Sequence, residues 1–150
     1  MIETIAYQGA LLAIIIPDRY SEPGVNFFTP DNFSQQVAFI SHTKGKTIEP
    51  HFHNPVPREV LVTQEVLHIK TGRIRVDFYS DQQDYLQSRI LRTGDTIVLV
   101  SGGHGFEILD DIEMIEVKQG PYLGNGDKTR FPGICTSKVF VPESQDDSSQ

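Results

Sequence analysis

Hydrophobic and polar positions alternate with a period of two along most of this chain, and no stretch carries a convincing helical period. The pattern is clearest between Leu61 and Tyr79. Leu61, Thr63, Glu65, Leu67 and Ile69 fall on one face, Thr71-Gly72 turns the chain, and Ile74, Val76 and Phe78 then alternate with Arg73, Arg75, Asp77 and Tyr79. This predicts an antiparallel hairpin with one buried side. Asp110-Asp111 is expected to divide two further strands in the same manner, and Arg92-Thr93-Gly94-Asp95 is another turn. Strands are predicted over Leu11 to Ile16, Gln36 to Ser41, Thr47 to His53, Leu61 to Lys70, Arg73 to Tyr79, Ser88 to Leu91, Thr96 to Val100, His104 to Leu109 and Ile112 to Val117. The first belongs to the apolar run Ala10 to Ile16, which lacks a basic leader and stops at Pro17, so it reads as a buried strand. Many short strands at regular spacing predict an all-β sandwich or jelly roll.

Three regions fall outside this pattern. Tyr20 to Asn32 reads as a loop in which Asn26-Phe27-Phe28 can pack on the body, and Gln119 to Gly133 is rich in glycine, proline and charge. Pro142 to Gln150 is a polar, acidic stretch without apolar anchors and is expected to be a flexible tail, which leaves 1–141 as a single domain. A length of 150 residues suits one core. The formal net charge of −7 and the absence of any basic run argue against nucleic acid and anionic membrane surfaces as partners. Cys135 is the sole cysteine, so an intrachain disulfide is impossible and a reducing, cytoplasmic setting is expected. No Ser-His-Asp order, phosphate loop or paired-cysteine motif is present.

The candidate chemistry gathers on histidines and one carboxylate. On a strand, His51 and His53 would point the same way, about 6–7 Å apart. His104 follows Gly102-Gly103 on a separate strand-like segment. Glu65 is the one charged residue in an otherwise apolar inward set, and a buried carboxylate without a partner costs several kcal/mol, so it requires a cation. His51, His53, Glu65 and His104 together supply three imidazoles and one carboxylate, a set suited to one divalent ion of Fe, Mn, Ni, Cu, Co or Zn. Glu59 is the rival carboxylate. It adjoins Arg58 in a proline-containing loop and lacks the spacing to a following glycine that Glu65 has to Gly72.

Gly45, His51, His53, Glu65 and Gly72 follow the order of the first cupin motif, and Gly94, Gly102 and His104 follow the shape of the second. The chain therefore resembles the cupin superfamily from Gly45 to Val117. Asn54 to Gln64 forms a longer gap between the histidine pair and the glutamate than the first motif has. In the second, Val100 and Ile108 replace the proline and asparagine, and His104 comes one residue early. The resemblance implies a double-stranded β-helix barrel with the metal inside one end, and commonly a homodimer.

On this reading the protein is a metal-binding cupin. Either it is a small metal-dependent enzyme acting on a carbohydrate or small carboxylic acid metabolite, or it is a non-catalytic module that binds a sugar or small acid. Phe106 and Ile108 share the face of His104 and suit an apolar pocket wall. Glu116, Lys118 and Tyr122 lie close enough in sequence to serve as proton-transfer or anchoring groups near the barrel mouth, or as ordinary solvated strand-end residues. His42 and His68 read as structural or exposed, Arg73 and Arg75 as outward-facing, and Cys135 as a plain thiol.

Overall fold

The computed structural model describes residues 1–142. The expected flexible tail therefore lies, beyond Pro142, outside the described residues. Ten strands run in order: β1 (Glu3–Tyr7), β2 (Ala10–Ile16), β3 (Gly24–Phe27), β4 (Ala38–Ser41), β5 (Glu65–Thr71), β6 (Arg73–Tyr79), β7 (Tyr85–Arg92), β8 (Thr96–Leu99), β9 (Gly103–Ile108) and β10 (Glu113–Lys118). One sheet has the order β1-β2-β8-β5-β10, a second β7-β6-β9, and β3 and β4 pair by themselves. Every pairing is antiparallel. The fold is all-β, as the period-two pattern requires. No described helix is long and apolar enough to cross a membrane.

The two larger sheets share one core. Ile5, Leu12, Ala13, Ile15, Leu67, Ile69, Ile97 and Leu99 from the first sheet pack with Ile74, Val76, Phe78 and Leu91 from the second. The opposite face of the first sheet is also covered. Ile14, Ile16, Val98 and Val100 meet Tyr20, Phe28, Phe33 and Val37 from the excursion between β2 and β4. Strand β2 is thus buried on both faces, which is why its sequence is a continuous apolar run and not an alternating one.

Several expectations change in the structure. Leu61 to Tyr79 is not a hairpin. Strand β5 belongs to the first sheet and β6 to the second, and Gly72, with φ of 88°, carries the chain from one to the other. Asp110-Asp111 is likewise a crossing, from β9 in the second sheet to β10 in the first. The alternation that suggests a hairpin is equally satisfied when both strands turn their apolar sides to one shared interior. Thr47 to His53 forms no strand, and residues 42–63 are exposed throughout. Pro50, Pro55 and Pro57 remove ladder donors from this segment, and Ile48, Phe52, Val56 and Leu61 find no core to enter. Strands β1 and β3 escape the sequence reading because neither offers a run of core positions: in β1 only Ile5 is buried, and in β3 no residue is. Strands β9 and β10 do not pair with each other, so no closed barrel forms among the described strands.

Candidate functional site

Glu65 opens β5, Lys118 closes β10, and the register pairs the two directly. Next to them, Gln119 accepts the Gln64 backbone N–H through Oε1 at 2.8 Å, which ties the two strands together at this end. His104, on β9, pairs with Phe78 of β6. Because directly paired residues of antiparallel strands share a face, Glu65, Lys118 and His104 all lie on the interior side, at the end of the molecule opposite Gly72.

Glu65 is only 5% exposed. Its Oε2 lies 3.1 Å from His104 Nε2, and its Oε1 lies 3.4 Å from both Lys118 Nζ and Lys128 Nζ. The buried carboxylate thus has the cations that its position demands, but they are ammonium groups beside an imidazole. Its acidity is strengthened from an ordinary 4.5 to about 2. The hydrogen bond with His104 is the largest cause, burial works against it, and the charges of His104, Lys128 and Lys118 add to it. An ionised carboxylate only accepts, so the His104 nitrogen facing it carries the proton and Nδ1 is left as the basic nitrogen of the neutral ring.

Lys118 also reaches Glu116 Oε1 at 3.2 Å. Its ammonium is held above the usual lysine range, first by the hydrogen bond to Glu116, against burial, and then by the charge of Glu65. The Tyr122 ring lies 5.6 Å below the same Nζ, within cation–π range. Glu116, Lys118 and Tyr122 therefore do converge. Lys128 sits in the segment that follows β10, which is anchored by Phe131 packing edge-on against Tyr79 with ring centroids 5.1 Å apart. Nothing in the spacing of the sequence marks Lys128. Only the unmet need of Glu65 points to a lysine arriving from elsewhere.

The four residues expected to hold a metal are brought together in part. Glu65 and His104 touch, whereas His51 and His53 stand on the exposed 42–63 segment, with their rings 5.4 Å apart. Among the described residues no group of three or more His, Cys, Asp or Glu side chains is placed to share a metal ion. As they stand, the four do not fit a single coordination shell. Glu59 is exposed on the same segment as the histidine pair. His68 faces away from Glu65, is exposed and meets Thr96 Oγ1 at 3.0 Å.

The outward set of β6 is less exposed than alternation suggests. Arg75 and Asp77 are both buried and form a two-pronged ion pair, at 2.7 and 3.0 Å, with Glu107 on the other side of Arg75. Ser88 donates to Asp77, its Oγ lies 2.8 Å from the Tyr85 hydroxyl, and that hydroxyl accepts the backbone N–H of Phe140. This network fastens the C-terminal part of the described chain to the sheet. A separate surface hollow of about 610 Å³, lined by Asp31, Phe33, Ser34, Gln36 and Arg58, shares no residue with the Glu65 cluster.

Comparison with known proteins finds no matching family model, no matching curated protein and no matching solved structure.

Proposed function

We propose that this chain is a cupin-like protein that binds a small carboxylic acid metabolite at the Glu65 cluster and moves a proton on it through His104. The observation that carries the reading is the contact of one buried carboxylate with an imidazole and two ammonium groups, on the interior side at one end of the fold. Glu65 orients the His104 ring through its contact with Nε2, and a positioned imidazole is the group a general acid–base requires. Lys118 and Lys128 offer ammonium donors to an anionic group, which favours a carboxylic acid over a carbohydrate. The repeated crossing of the chain between two antiparallel sheets supports a jelly-roll arrangement of the double-stranded β-helix type, left open between β9 and β10. A homodimer in the cytoplasm belongs to the same proposal.

The test is a titration of the protein with acetate, lactate and pyruvate, followed by NMR at His104 and at the lysine side chains. Binding should perturb His104 and Lys128, and Lys128→Gln should weaken it. Incubation in heavy water should replace a carbon-bound proton of the turned-over acid with deuterium, and His104→Ala should abolish this. Absence of any perturbation at millimolar ligand overturns the reading. Binding without exchange leaves a non-catalytic module.

One observation favours a second reading, with a divalent metal on His51, His53, Glu65 and His104. His51 Nδ1 lies 2.8 Å from the carbonyl of Glu49. Donation there leaves Nε2 free as a ligand, which is how metal-binding histidines are commonly oriented. Segment 42–63 would have to reach Glu65, and the ion would have to replace the ammonium groups. Elemental analysis after reconstitution with Fe, Mn, Ni, Cu, Co and Zn decides it. About one equivalent, lowered more by Glu65→Gln than by Glu59→Gln, supports the metal; less than about a tenth rejects it.

A further inference from the structure

From the way the polar cluster continues into the open side of the fold, we infer that the ligand is a monocarboxylate carrying an elongated apolar body. The inference rests on the proposed function and extends it to the ligand's shape. Strands β9 and β10 are each the outer strand of their sheet, share no ladder, and are joined at one end by the Asp110-Asp111 crossing. Register places Phe106 opposite Val76 and Ile108 opposite Ile74 on β9, and Met114 opposite Ile69 on β10. Val76, Ile74 and Ile69 are each fully buried. Their partners on the same interior face are not: Phe106 is 41%, Ile108 51% and Met114 39% exposed. The core's own apolar side therefore runs out to solvent between these two strands.

This opening is polar at one end only. His104 stands two residues from Phe106 on the same face, with ring centroids 5.3 Å apart, and Lys118 on β10 meets the same Glu65 carboxylate as His104, with Glu116 on its other side. Beyond Glu116 the interior positions of both strands are apolar. From His104 to Ile108 the strand advances about 13 Å, room for an extended alkyl chain or an aromatic ring with a short spacer. A sugar would leave its hydroxyl groups against Phe106, Ile108 and Met114 without donors or acceptors, a loss that an apolar body avoids. The carboxylate end is matched by Lys118 and Lys128, and the apolar end by the opening.

The test is a calorimetric series of straight-chain carboxylates from acetate to dodecanoate, with octanol and glucose as the uncharged comparisons. Affinity should rise about twofold to fourfold per methylene and level off near decanoate. Phe106→Ser should flatten that rise, and Lys128→Gln should weaken every carboxylate by a similar factor. Phe27→Ser, at an exposed phenylalanine on β3, should change neither. Affinity independent of chain length, or glucose binding better than hexanoate, overturns the inference while leaving the acid–base reading standing. Octanol binding as well as octanoate removes the role of the lysines and rejects both. Self-association that is abolished by Phe106→Ser would make a second copy of the chain the occupant, and also overturns the inference.

Discussion

Gly72 lies so close to Asp111 that a Cβ at position 72 would come within 2.2 Å of the Asp111 carbonyl oxygen. The two crossings between sheets are stacked at one end of the molecule, and Leu109 and Asp110 both donate backbone N–H groups to the Arg73 carbonyl there. Positive φ and close approach act on the same residue. Gly72→Ala should therefore cost roughly 3 kcal/mol, the sum of a strained backbone and a displaced corner. Chemical denaturation with an unchanged slope and a lowered midpoint is the expected result.

Acid should act on stability through Glu65. Its carboxyl ionises near 2 in the folded protein against an ordinary 4.5, so its contribution is complete above about pH 4.5 and is lost as pH falls from there through about 2. The full effect is at most about 3 kcal/mol. A stability series across that range should slope upward with pH in the native sequence and be visibly flatter in Glu65→Gln.

Removing the Ser88 hydroxyl should loosen a distant piece of chain. Ser88 is fully buried, and its Oγ joins Asp77 to the Tyr85 hydroxyl that receives Phe140. Ser88→Ala should destabilise the protein by about 1–3 kcal/mol, the cost of leaving a buried acceptor short of a partner. Hydrogen exchange at the Phe140 amide should speed up more than exchange at Val76, which lies in the centre of the sheet.

Phe131 is expected to position Lys128 without touching the ligand. A Cβ at Gly103 would come within 2.9 Å of its ring, so the bare backbone of β9 is what admits the ring beside Tyr79. Phe131→Ala should weaken carboxylate binding about as much as Lys128→Gln does, and the double variant should be little worse than either single one. Additive losses would mean that the two act independently.

The strands that the sequence reveals are those with several alternating residues against the shared core, such as β6, whose Ile74, Val76 and Phe78 are all buried. Pairing partners are less accessible. Period-two alternation fixes which face of β5 and β6 is apolar, but it says nothing of whether the strands lie side by side or across from each other. At the site, Glu65 could be recognised as a buried charge in want of a cation, and His104 as its neighbour in function. The cation that left no mark in the sequence is Lys128, whose segment is held in place by an aromatic contact without a periodic trace. His51 and His53 share a face only if their segment is a strand, and its prolines and missing core prevent that.

The placement of β2 also bears on how the chain comes to be folded. Ala13 pairs with Leu99, 86 residues further along. At ribosomal speeds that interval takes about 4–17 seconds, during which the apolar run of β2 has left the exit tunnel without its partner. Pairing with β1 satisfies one edge of β2 at once, while the other edge and both apolar faces wait for later segments. Native assembly is thus deferred until synthesis passes β8, and the nascent N-terminal hairpin is the part of this protein that chaperones would be expected to hold.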